Sequence, residues 1–219
     1  MEEVIIRQFP TGDFEVFTYV LACPETREAA VIDPAGDPEK ILSVLSGEEL
    51  QARYILNTHG HPDHILANQR LKEALFIPVC MHRMDADFFS DAGAQELICK
   101  ELGLSCEPAV DVKLEDGQSL ELGKLRIRVI HTPGHTPGSA CFLIQGNLFT
   151  GDTLFVGAAG RTDIPGASLE ALLASIRDKL LVLPRETVVW PGHDYGDTPT
   201  STMGREMEEN IYITDFLLE

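Results

Sequence analysis

A chain of 219 residues, 44% of them hydrophobic, is long enough to bury a substantial core as a single domain. Its 35 acidic residues against 17 basic ones leave a formal charge of -18, which repels phosphate backbones and anionic bilayers, so neither nucleic acid nor a membrane is an expected partner. The five cysteines, Cys23, Cys80, Cys99, Cys106 and Cys141, are odd in number, scattered and without a C-x-x-C pair; with no basic or long apolar leader after Met1, they predict reduced thiols in a cytoplasmic protein.

Strands are predicted at 4–9, at 14–22 with apolar and polar residues alternating, and at 29–33, where Pro34-Ala35-Gly36 turns the chain. A helix follows from Pro38 to about residue 50, with Ile41, Leu42, Val44 and Leu45 as its apolar face, and then a strand at 54–56. Directly after it comes Thr58-His59-Gly60-His61-Pro62-Asp63-His64. Pro62 lacks an amide proton and has a fixed φ, so it is suited to open a helix, here running to about residue 75. His59 and His61 then fall in the strand-to-helix loop, and Asp63 and His64 in the first helical turn. Such donors meet at the carboxyl end of a strand, where open α/β sheets present their ligands.

A strand at 77–81 leads into helical stretches at 85–90 and 94–102, and 82–108 reads as a helical insertion. Further strands are predicted at 109–114, 119–122, 125–131, 139–145 and 148–150. A helix capped by Ser168 spans 168–180, with Leu169, Leu172, Leu173 and Ile176 facing a core. A strand at 187–190 and a short helix within 203–218 complete the chain. No repeat or linker divides it, so residues 1–219 are expected to form one domain.

Three more donors each follow a glycine: His135 after Gly134, Asp152 after Gly151, His193 after Gly192. Any one such pair could be an ordinary turn glycine beside a polar residue. Together with the first cluster they supply five imidazoles and two carboxylates, enough nitrogen and oxygen donors for two transition-metal ions. Glycine permits backbone conformations closed to other residues, and so lets a side chain leave a strand end aimed inward.

The T-H-G-H-P-D-H run, G-H-T-P-G-S around His135, F-T-G-D ending at Asp152 and P-G-H at His193 resemble the metallo-β-lactamase superfamily, and within it the short glyoxalase II-like hydroxyacylglutathione hydrolases. The resemblance implies an α/β fold, a four-layer αββα sandwich with metals in a cleft at one edge. It assigns His59, His61 and His135 to a first ion, Asp63, His64 and His193 to a second, and Asp152 to both. Zinc is the usual metal, with iron or manganese as alternatives. A metal-bridging hydroxide would attack a thioester, with Asp63 orienting it as well as ligating, and a thiol with a pKa near 8.5 could depart as thiolate without a dedicated acid. Asp33 resembles an aspartate that supports the metal loops by hydrogen bonding. His82 and His131 lie outside the ligand pattern and are expected to be structural.

Where larger glyoxalase II enzymes carry a lysine and a tyrosine for glutathione, this chain has Gly160-Arg161-Thr162-Asp163. Arg161 is left between clamping a substrate carboxylate and bracing its own loop, and Tyr195 between lining the cleft and capping the loop after His193. The same G-R-T-D, and His193-Asp194-Tyr195 followed by Ser201-Thr202, also resemble persulfide dioxygenases. These hold one iron at positions matching His59, His135 and Asp152, so a mononuclear non-haem iron dioxygenase acting on glutathione persulfide is the alternative reading. The insertion at 82–108 favours the hydrolase. Either way the expected partner is a small thiol-derived molecule, and the oligomeric state, a homo-oligomer included, stays open.

Overall fold

A computed structural model describes residues 2–103 and 110–217. The first sheet takes β1 (Ile5–Thr11), β2 (Val16–Ala22), β3 (Glu28–Ile32), β4 (Gln51–Asn57), β5 (Val79–His82) and β6 (Val112–Leu114) in that spatial order. Its pairs are antiparallel from β1 to β3 and parallel from β3 to β6. The parallel steps need crossovers. They are α1 (Pro38–Gly47) between β3 and β4, α2 (Pro62–Ile65) and α3 (Asn68–Leu75) between β4 and β5, and α4 (Arg83–Phe88) and α5 (Ala92–Leu102) before β6. The last two are the helices expected within 82–108; residues 104–109 of that segment lie outside the described residues.

The second sheet comprises β7 (Ser119–Leu122), β8 (Leu125–His131), β9 (Ala140–Ile144), β10 (Asn147–Gly151), β13 (Val188–Pro191) and β14 (Ser201–Thr202), in the spatial order β14-β13-β10-β9-β8-β7. A hairpin of β11 (Leu154–Phe155) and β12 (Ala158–Ala159) stands apart. α6 (Leu169–Ser175), α7 (Met203–Glu209) and α8 (Ile211–Thr214) cover this sheet. None of the described helices is long and apolar enough to cross a membrane.

Side-chain alternation explains the layering. Phe17, Tyr19 and Leu21 of β2 enter the core between the sheets with Ile127, Val129, Phe142 and Phe149. Val20 and Ala22 point the other way, onto Ile41, Leu45 and Leu71 of the first helical layer. Ile130, Cys141, Leu148 and Val189 meet Leu172, Ile176, Met203 and Ile213 on the far side. The order is helix, sheet, sheet, helix. β2 therefore departs from the expected half-exposed strand: all seven of its residues are buried, and the Thr18 hydroxyl is satisfied by donating to the Asp33 carbonyl at 2.7 Å.

Two helices also differ from expectation. The stretch predicted from Pro62 to residue 75 breaks at Leu66 and Ala67, because the Ala67 amide donates to the Pro34 carbonyl at 2.9 Å and leaves the helical ladder. The helix from Ser168 relaxes into a π turn over Ile176–Leu180, closed by Leu181 N–H to the Ile176 carbonyl at 2.9 Å.

Tyr19 links the sheets where the later site forms. Its ring lies edge-on to Phe149 and Trp190, at 4.9 and 6.0 Å, and its hydroxyl donates to the Pro191 carbonyl at the end of β13. Tyr19→Phe keeps the packing and removes that donor, so urea denaturation is expected to show a loss of about 1–3 kcal/mol. A wild-type midpoint would show that the bond does not secure the end of β13.

Candidate metal centre

Each donor follows the carboxyl end of a strand. His59 and His61 occupy the loop after β4, Asp63 and His64 lie in α2, His135 follows β8, Asp152 follows β10 and His193 follows β13. All seven are buried. The structure gathers them into two groups, His59, His61 and His135 in one, Asp63, His64 and His193 in the other, with ligand atoms in each group within 4.8 Å of one another. Asp152 stands between the groups: its carboxylate oxygens are 3.4 Å from His64 Nε2 and 3.6 Å from both His135 Nε2 and His193 Nε2.

The far edges of the imidazoles determine what the near edges can offer. His135 Nδ1 donates to the Arg161 carbonyl at 2.9 Å. Thr58 Oγ1 donates to Asp33 Oδ2 at 2.6 Å and is thereby free to accept from His59 Nδ1 at 3.1 Å. Both arrangements leave a lone pair on Nε2. Those two Nε2 atoms stand 3.0 and 2.9 Å from a single atom, His61 Nδ1, which carries at most one proton to share between them. His61 Nε2, His193 Nδ1, Asp63 Oδ1 and Asp152 Oδ1 are buried without a hydrogen-bond partner among the described residues. Converging lone pairs and orphaned buried polar atoms are what a bound cation relieves. The histidine and aspartate clusters suit a dinuclear metal site.

Electrostatics divide the two groups. Burial, reinforced by the neighbouring imidazoles, pushes His59 and His61 well below the ordinary histidine range, and burial lowers His135 too, so the first group is neutral and ready to coordinate. Burial also opposes charge on His64, but Asp152, Asp63 and Asp33 outweigh it and raise its pKa to about 10. Asp152 is held below the usual carboxylate range: burial acts against this, but His64, His193 and His135 prevail.

Asp33 lies behind the histidine loop and is hydrogen-bonded to it. Its oxygens accept from the Thr58 amide at 2.8 Å and the Thr58 hydroxyl, and Oδ2 lies 3.1 Å from His64 Nδ1, turning His64 Nε2 toward Asp152. Although Asp33, His59 and His64 also cluster, these bonds already occupy both Asp33 oxygens. The Arg161 guanidinium pairs with Asp163 at 2.7 Å. Tyr195, 66% exposed, stacks face to face on His193 at 4.7 Å and meets Phe155 edge-on at 5.1 Å, so it lines the rim. His82 and His131 stack on each other at 3.8 Å.

The glycines act in two ways. Gly151 has φ +49, and a Cβ there would also lie 2.2 Å from Thr58 Oγ1. Gly192 has no positive φ; space decides there, since a Cβ would fall 2.3 Å from Asp152 Oδ1. Asp85 is the residue that sequence reading missed. It is fully buried in α4 and accepts from Gly60, Thr136 and Gly138, partners 25 to 53 positions away, which left no local signal to find it by.

With a pKa raised to about 10, His64 is protonated in the metal-free fold at neutral pH. Its contribution to stability is full below the unfolded value of about 6.5 and is lost as pH rises towards 10. Coordination must displace that proton. Calorimetric titration of metal-free protein with zinc, in buffers of different ionisation enthalpy at neutral pH, should therefore show proton release, and His64→Ala should lower it by about one proton per chain. Equal release from both proteins would contradict the assignment of charge to His64.

Residues 11–193 match the metallo-beta-lactamase superfamily profile. Among solved structures, the chain is similar to BLEG-1 B3 metallo-beta-lactamase, with a TM-score of 0.86 and 36% identity over 96% of this chain and 100% of that one. It is also similar to TTHA1623 in a di-iron-bound form, with a TM-score of 0.80 and 37% identity over 93% and 98%. A sequence relative is the mitochondrial persulfide dioxygenase ETHE1 of Bos taurus, 31% identical over 214 residues, 96% of this chain and 76% of that one. With the sandwich, the converging donors and these matches in agreement, the chain belongs to the metallo-beta-lactamase superfamily.

Proposed function

We propose that the protein is a metal-dependent hydrolase that cleaves a thioester, a glyoxalase II-like enzyme of the hydroxyacylglutathione class. One observation carries the reading: the second donor group is built as fully as the first. His64 Nε2 and His193 Nε2 stand 3.3 Å apart, Asp63 Oδ2 is 3.8 Å from each, and Asp33 fixes the far edge of His64. A two-ion enzyme would use both groups, whereas three donors suffice for one ion.

In this reading His59, His61 and His135 would hold one divalent ion and Asp63, His64 and His193 a second, with Asp152 available to both. Zinc is the usual metal of the family, and the imidazole and carboxylate donors suit iron and manganese as well. Ions bound there supply Lewis acidity and bring the pKa of coordinated water to about 7. Asp63 Oδ1, buried without a partner among the described residues, would be available to orient the attacking water and accept its proton. Tyr195 and Arg161 flank the cleft for the substrate. A thiolate leaves without a dedicated acid, whereas the amine of a lactam or peptide needs a proton; this supports a thioester over an amide. The free thiols Cys23, Cys80, Cys99 and Cys141 are in keeping with a reducing compartment such as the cytoplasm.

The second reading, a one-iron dioxygenase acting on glutathione persulfide, is supported by the 31% identity to bovine ETHE1. His59, His135 and Asp152 would then suffice as a two-histidine, one-carboxylate set. Metal analysis paired with two assays separates the readings. Two ions per chain with turnover of a glutathione thioester is the expected result, whereas one iron with oxygen uptake on glutathione persulfide would replace it. His64→Ala should lower thioester turnover by more than about 100-fold, beyond the 10–100-fold typical of losing a group that only orients a ligand. Wild-type turnover in that variant would sink the two-ion hydrolase.

A further inference from the structure

Three of the four ring contacts that orient the histidines of the first group and His64 are accounted for: His59 leans on Thr58, His135 on the Arg161 carbonyl and His64 on Asp33. His61 has no such support among the described residues, where its Nε2 is buried without a partner. Its position must come from its backbone and its packing. Both are supplied by one short segment, α4 and the residue that ends it.

Asp85, fully buried in the first turn of α4, accepts the Gly60 amide at 2.9 Å and the Thr136 hydroxyl at 2.8 Å on Oδ2, and the Gly138 amide at 2.5 Å on Oδ1. Gly60 lies between His59 and His61; Thr136 follows His135. A single carboxylate thus joins the two loops that carry the whole first group. At their base the loops are joined again, by the Ala140 amide donating to the Thr58 carbonyl at 2.8 Å. Phe89, which closes α4, meets the His61 ring edge-on at 5.8 Å, and a Cβ on Gly60 would lie 2.3 Å from the Phe89 ring. A Cβ on Gly138 would lie 2.2 Å from the Asp85 amide nitrogen. The contacts are too close to be incidental.

We infer that Asp85 is a positioning residue which, by clasping Gly60, Thr136 and Gly138, sets the placement of His61 against His59 and His135 and so governs how the first ion alone is held. The inference rests on the reading of these histidines as an ion site. An amide cannot replace the carboxylate, since three donors converge on its two oxygens and the NH2 of an asparagine would face one of them.

Divalent cobalt reports both affinity and coordination geometry through its d–d absorption, and a paired background isolates each ion. In His64→Ala protein, where the first group remains, Asp85→Asn is expected to weaken cobalt binding by about 10–100-fold and to change the absorption spectrum. In His61→Ala protein, where the second group remains, the same change should alter affinity by less than about threefold. Thr136→Val removes one of the three bonds and should shift affinity in the same direction by a smaller factor, which keeps the test open if Asp85→Asn does not fold. Equal effects in both backgrounds, or none in either, overturn the inference while leaving the metal reading intact. Wild-type protein that takes up no cobalt overturns both.

Discussion

Seven side chains of the kinds that can coordinate cations are packed where water cannot screen them, and the rest of the molecule is organised around tolerating that arrangement. Imidazole edges face one another at 2.9 to 3.3 Å, a spacing that neutral rings cannot fully satisfy with their own protons. The metal-free fold offsets part of the strain by charging His64 among three aspartates. Asp85 adds a further cost. Burial raises its pKa to about 6 from 3.8, against the lowering effect of its three hydrogen bonds. A carboxyl whose folded pKa is raised loses stability as pH climbs from the unfolded value through the folded one, and at neutral pH this amounts to about 3 kcal/mol against folding. Residues held at such a cost commonly serve a site rather than the fold.

The sandwich makes the convergence geometrically natural. Parallel pairing of β3 through β5 and of β10 with β13 sends several chain exits out of the same edge. Asn57 thus delivers the histidine run from one sheet, and Gly151 and Pro191 deliver Asp152 and His193 from the other. The helical layers have little to do with the donors directly, except for α2, which carries Asp63 and His64, and α4, which carries Asp85.

Much of this was legible in the amino-acid sequence. The donors sit in short runs with glycine or proline beside them, and half of the described strands have five or more residues, long enough to carry an apolar pattern, so both could be read locally. The features that escaped are those determined by remote partners. The break at Leu66 and Ala67 comes from a carbonyl at Pro34, 33 positions earlier by residue number. Two-residue strands such as β11, β12 and β14 are too short to show a period. The alternation expected in β2 failed because a helical layer covers its second face, making Thr18 a buried residue with an internal acceptor. Asp85 sits in a helical stretch that looks like any other, and its meaning appears only when Gly60 and Gly138 are brought to it.

The two halves of the sandwich contribute unequally but jointly: four donors leave the first sheet and three the second, so any cation seated between them fastens one half to the other. Such a rivet would favour the folded chain to the extent that it is held more tightly there than in the unfolded one, so the stabilisation would grow with the logarithm of free metal. With the site loaded, heat resistance would be set partly by the surrounding ion supply, and starvation for metal would loosen the seam between the sheets.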